Sequence, residues 1–170
     1  NTAIGRASLN ANTTTSYNTA VGADALASNT AAEMTAVGYQ ALNANTTGIR
    51  NTAVGTYALD AVTTTNDNTA LGYNALTAST TGQNNTAVGR GALQASQSGS
   101  NNTAIGRLAM AGANVTADNN VAIGYQALNA HIGGAGNIAL GTNAMVLNTT
   151  GGNNVAIGMN TLDANTTGNY

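Results

Sequence analysis

Apolar and polar positions recur along this chain on a fixed beat. Ten times a Thr or a β-branched aliphatic is followed by Ala, then an aliphatic residue, then Gly. The blocks close at Gly5, Gly22, Gly38, Gly55, Gly72, Gly89, Gly106, Gly124, Gly141 and Gly158. The step between these glycines is 17 residues, except for one of 16 (Gly22 to Gly38) and one of 18 (Gly106 to Gly124). A short fixed period is the signature of one supersecondary unit stacked on itself. The whole chain, 1–170, therefore reads as a single array of ten repeats.

Within one repeat, Thr35-Ala36-Val37 alternates with the period of two that marks a strand. The residue before the Gly is aliphatic in every copy, and this predicts an inward, core position for Val37, Val54, Leu71, Val88, Ile105 and Ile123. The residue between is Ala in every copy, including Ala36, Ala53, Ala70, Ala87, Ala104 and Ala122. A face that only water touched would vary. Strict Ala opposite the aliphatics thus predicts close packing against a second layer or a neighbouring chain. The Gly that follows supplies backbone freedom at a corner.

A second apolar segment comes next, Ala41-Leu42-Asn43-Ala44 in the third copy. Four residues are too few for a helix, so a second short strand is expected, with Leu42, Leu59, Leu76, Leu93 and Leu128 in the core. Asn-Thr-Thr-Gly then closes the coil, for example at Asn45–Gly48. Asn bonds local backbone there and Gly is expected at positive φ. Strand, corner, strand and turn, repeated, give an all-β fold: a parallel β-solenoid, or β-roll, of ten coils of ~17 residues. With one strand spacing per coil the array spans about 48 Å. Asn opens nine of the ten blocks, which predicts a stacked amide ladder. Met34 stands in the odd copy, so a defect is expected near residues 30–35.

The blocks Asn120-Val121-Ala122-Ile123-Gly124 and Asn154-Val155-Ala156-Ile157-Gly158 resemble the head repeat of YadA-like trimeric autotransporter adhesins, which reads roughly Asn-Ser-Val-Ala-Ile-Gly. The seven blocks with Thr in place of the first Val look like the same motif. The resemblance runs the length of the chain through its period. This repeat is longer than the family's, with an added Ala-Leu segment and a longer turn, and it is also similar to arrays in phage tail fibres. The resemblance implies a left-handed β-roll, assembly as a homotrimeric fibre, and an extracellular role in attachment at a cell or virion surface. It would make the Ala face the seam between subunits. The chain starts inside one block and stops just before another, with no polar cap, so it reads as an excerpt of a longer fibrous protein.

Composition narrows the function. Phe, Trp, Pro, Cys and Lys are absent, and only 6% of residues are charged. Small aliphatics fill a narrow bore, not the centre of a wide globule. Four scattered Arg residues cannot neutralise a phosphate backbone, so nucleic acid is excluded as a partner. No apolar run approaches the roughly 20 residues of a membrane span. With no Cys and a single His, the chain offers no metal or cofactor site. His131 itself reads as a surface turn residue.

Arg6, Arg90 and Arg107 share the slot after the corner Gly with Tyr39, Tyr73 and Tyr125. This row is either a solvated edge or a contact row for a glycan or protein receptor. Two other functions fit a solenoid. Ice binding needs outward Thr rows. Thr35 and its equivalents are read as inward, and the outward Thr46-Thr47 row breaks at Gln97, Asn114 and Ile132. A glycan-degrading tailspike needs paired acids, and the candidates, Asp60 with Asp163 and Asp67 with Asp118, do not lie in adjacent coils. The reading the sequence favours is non-catalytic: a structural and adhesive fibre segment.

Overall fold

A computed structural model describes residues 1–112 and 115–169. It contains ten three-residue strands: β1 (Thr2–Ile4), β2 (Thr19–Val21), β3 (Thr35–Val37), β4 (Thr52–Val54), β5 (Thr69–Leu71), β6 (Thr86–Val88), β7 (Thr103–Ile105), β8 (Val121–Ile123), β9 (Ile138–Leu140) and β10 (Val155–Ile157). They form one parallel sheet in sequence order. Equivalent residues stack in register, Thr35 on Thr52, Ala36 on Ala53, Val37 on Val54. The 16- and 18-residue steps preserve that register, because Ala20 still meets Ala36 and Ala104 still meets Ala122. The array is the β-solenoid that the period implied.

The phase of each strand is the reverse of the one the sequence suggested. Ala36, Ala53, Ala70, Ala87, Ala104 and Ala122 are fully buried inside the coil. Val37, Val54, Val88 and Ile123 are half-buried on the outside, and Leu71 and Ile105 are exposed there. The cause is the width of the bore. A three-residue strand turns one side chain inward, and the opposite wall already fills the interior with Leu. Leu42, Leu59, Leu76, Leu93 and Leu128 are fully buried, joined by Leu26, Met110 and Met145. Only a methyl group fits between that wall and the strand at native packing density. The Ala face therefore packs on a second layer, the far side of its own coil, and is closed to a neighbouring chain.

The second segment is not a strand. It is a run of turns in which left-handed and ordinary residues alternate. Gln40 has φ 55° and Leu42 has φ 50°, and the same pair of positions repeats from Ala7/Leu9 to Asn160/Leu162. Leu at positive φ is costly, of order 1 kcal/mol or more. Two effects offset that. The conformation curls the chain so that Leu42 points into the bore, where full burial contributes ~2 kcal/mol. It also aims alternate amides at the two neighbouring coils: Gln40 N–H donates to the Ala23 carbonyl at 3.0 Å, and Leu42 N–H to the Ala58 carbonyl at 3.0 Å.

The glycine at the corner is required twice over. Gly72 has φ +138°, and a Cβ there would stand 2.6 Å from the Gly89 carbonyl oxygen one coil away. The glycine of the closing turn differs from expectation. Gly48 is not at positive φ, and it is Gly because a Cβ would run into the Thr65 carbonyl of the next coil.

The amide ladder is present and buried. Asn85 N–H donates to Asn68 Oδ1 at 2.9 Å, and Asn85 Oδ1 accepts from Asn102 N–H at 3.0 Å. Its Nδ2 donates to the Gly99 carbonyl in the closing turn that leads to Asn102, at 2.8 Å. At the anomalous copy, Met34 N–H still donates to Asn18 Oδ1 at 3.1 Å, but its thioether chain hands nothing on. The ladder resumes where Asn68 N–H meets Asn51 Oδ1 at 2.9 Å.

Candidate functional surfaces

Because Ala points inward, the sheet presents two columns to the outside. One is Thr in the first seven strands and Val121, Ile138 and Val155 in the last three. The other is aliphatic throughout, from Ile4 to Ile157. Thr35 and its equivalents thus lie outward, contrary to the inward placement read from the sequence. Among the described residues, the hydroxyls of Thr19, Thr35, Thr52, Thr69, Thr86 and Thr103 have no hydrogen-bond partner within the chain; Thr69 is exposed and the other five are half-buried. In the last three coils both columns are apolar; Val121 and Ile123 are half-buried, Ile138 and Leu140 about two-fifths exposed, and Val155 and Ile157 59% and 65% exposed. Contiguous exposed apolar strips are a general feature of interaction surfaces.

The closing turns form a different surface. Thr46 and Thr47 are exposed, and Thr46 Oγ1 donates to the Thr63 carbonyl at 3.0 Å. Thr30, Thr80 and Thr149 bond the next coil in the same way. Gln97 and Ile132 interrupt the row and are exposed. Asn114, the third expected interruption, lies outside the described residues.

The corner row is a real alignment. Arg6, Tyr39, Tyr73, Arg90, Arg107 and Tyr125 are all exposed, each one residue past its corner glycine. Tyr57, one residue further on, completes the series. Its ring meets Tyr39 edge-on with centroids 5.4 Å apart and Tyr73 at 6.3 Å. Partial burial between them raises its phenol above the ordinary value. Arg90 lies over the Tyr73 ring at 5.9 Å and Arg107 over the Tyr125 ring at 5.5 Å. Sequence reading missed Tyr57 because it sits off the slot. The signal that could have found it is Thr56, a small residue in the slot itself, flanked by tyrosines above and below.

The remaining ionisable groups are dispersed. Arg6 pairs with Asp24, and Arg50 pairs with Asp67 through two contacts, the shorter at 2.6 Å. That bond holds the Asp67 carboxyl below its usual value. Asp60 is partly buried, and desolvation lifts its carboxyl. Asp60 and Asp163 are six coils apart, about 29 Å at one strand spacing per coil, so the structure does not bring them together. Among the described residues no group of three His, Cys, Asp or Glu side chains could hold a metal ion. Among the described residues no helix is long and apolar enough to cross a membrane.

His131 is not on the surface. It is fully buried in the inward slot that Asn29, Asn45, Ser79 and Asn148 fill in other coils. Neither ring nitrogen has a hydrogen-bond partner. Desolvation holds the imidazole below its ordinary value, and the nearby backbone of Gly134 and Asn148 tempers that shift.

Comparison of the chain with protein-family models, with curated proteins and with solved structures finds no match.

Proposed function

We propose that this chain is a rigid segment of an extracellular attachment fibre, in which three copies bury their sheet faces against one another. The observation that carries the reading is the unbroken outward column of aliphatics on all ten coils. Water wets that column in a lone chain, and a second and third copy would cover it. The stacked parallel rungs and buried amide ladder give such a segment stiffness, and the number of coils sets its reach. The resemblance to YadA-like head repeats supports the same reading, with the seam formed by the Val/Ile column in place of the Ala column.

The chain has no cysteine, so single thiols can be placed at will. Val54→Cys on the sheet face should resist alkylation in the assembled protein, while Thr47→Cys on the closing turn should react freely. Equal reactivity at both positions would contradict the assembly.

A second reading rests on the other column of the same face. Outward Thr hydroxyls without protein partners, spaced by one strand rise, suit an ordered layer of water and hence ice binding. Thermal hysteresis in the wild type that is lost in Thr52→Lys would establish it. Its absence, together with protection of Val54→Cys, would leave the fibre.

A further inference from the structure

Two of the four arginines, Arg90 and Arg107, are left without a carboxylate. Arg6 and Arg50 have Asp24 and Asp67. Among the described residues, no acid pairs with the other two. They occupy the same slot in adjacent coils, so their backbones are about one strand spacing apart. Like charges set this close repel, and nothing in the fold needs them there, since both side chains are exposed. Each stands near an aromatic ring instead, the Arg90 guanidinium 5.9 Å from the Tyr73 ring centre and the Arg107 guanidinium 5.5 Å from that of Tyr125. The stack that runs from Tyr39 through Tyr57, Tyr73 and Arg90 breaks at this point.

A cavity of about 240 Å³ lies at the break, lined by Tyr73, Asn74, Arg90, Gly91, Gln94, Arg107 and Leu108. One residue sets its floor apart, because Leu108 and Gln94 close in on a position that has no side chain. The slot two past the corner glycine holds a side chain in every coil but this one, where it is Gly91. A Cβ there would stand 2.9 Å from Leu108 Cδ2 and 3.0 Å from Gln94 Oε1. The site thus offers two cations, an aromatic ring and an amide from Gln94.

We propose that this groove binds one carboxylated sugar residue of a uronic-acid type. The two guanidinium groups hold the carboxylate, since Arg presents a planar fork that matches it. The Tyr73 ring and Leu108 take the C–H face of the sugar. The Gln94 amide at the rim bonds a ring hydroxyl, which acetate does not carry. The volume is below the roughly 300 Å³ at which pockets for drug-sized ligands begin, so it takes a single ring. The site belongs to the corner row and not to the sheet face, so it does not depend on the fibre reading, and a monomeric chain would carry it unchanged.

The test is an NMR titration of the isotope-labelled chain at constant ionic strength. The Arg90 and Arg107 Nε–H signals and the Gly91 amide are followed. The probes are sodium glucuronate, glucose and sodium acetate. Glucuronate should shift all three signals saturably, with a Kd on the order of 1 mM, and glucose and acetate should bind at least tenfold more weakly. Arg90→Gln and Arg107→Gln should each weaken glucuronate at least tenfold, and Arg6→Gln should not. Gly91→Gln should abolish binding without unfolding the chain, because Gln40 and Gln126 already occupy that slot at similar φ. Acetate binding as tightly as glucuronate would reduce the site to a pair of charges and overturn the proposal. Glucose binding equally, or no saturable shift with glucuronate, would overturn it as well.

Discussion

Ala87 and Val88 are adjacent in one strand and belong to opposite worlds: Ala87 is fully buried in the bore, and Val88 lies on the outer sheet face. The same charged residue placed at each should therefore act in different ways. Ala87→Glu forces an unpaired carboxylate into a space sized for a methyl group. We expect a loss of about 4 kcal/mol or more, or outright failure to fold. Val88→Glu should leave the fold of a single chain nearly unchanged, within about 1 kcal/mol. Urea denaturation followed by circular dichroism separates them. Equal loss from both would mean that the strand phase is wrong.

Asn85 connects three coils, through Asn68 Oδ1, Asn102 N–H and the Gly99 carbonyl. Asn85→Leu keeps the branching at Cγ and strands a buried N–H and a buried C=O. Each such orphan costs about 1–3 kcal/mol, so the variant should lose several kcal/mol in the same assay. Hydrogen exchange should quicken first at the Asn102 amide. An unchanged Asn102 amide would show that the ladder is not the bond that protects it.

The corner glycine fixes the coil spacing. Gly72→Ala places a Cβ 2.6 Å from the Gly89 carbonyl oxygen at φ +138°. Neither backbone can yield without breaking rungs. A lowering of the melting temperature by about 6–12 °C is expected, as for a penalty of about 3 kcal/mol. The same change at Gly133, which has open space around its Cβ position, should be mild.

His131 makes stability depend on pH. Burial holds its folded value below the ordinary 6.5. Between those two values the unfolded chain takes up a proton that the folded chain refuses. Its contribution is therefore complete above pH 6.5 and falls as pH drops through that window. His131→Asn installs the residue that the next coil uses at Asn148 and should flatten the profile. Asp60 is the same in both proteins, so the difference between the two urea-midpoint curves isolates the imidazole. Parallel curves from about pH 8 to pH 5 would show that the ring is not held neutral by burial.

Much of this was legible. The glycine spacing gave the coil, the Asn column gave the ladder, and Met34 located its break. The strand phase was not legible, because alternation tells which residues share a face and not which face is inside. Hydropathy favours Val37 over Ala36 for the core, and only the Leu42 wall, brought opposite by folding, reverses that choice. The conformation of the second segment was hidden for another reason. Leu42 and Leu59 sit at positive φ, where local preference would never place them, and the bore holds them there. His131 left a weak trace, in that its equivalents, Asn45, Ser79 and Asn148, are small and uncharged as an inward slot demands. The groove at Arg90 depended on Gly91, whose meaning appears only when Leu108 and Gln94 are seen beside it.

The central claim is that the outer aliphatic column is a seam between copies. Light scattering of the wild-type chain and of Val88→Glu measures it directly. The account predicts a wild-type particle of three times the 16.7 kDa chain mass and a folded monomer for the variant. A wild type that stays monomeric at high concentration, or a trimer indifferent to Val88→Glu, would contradict it.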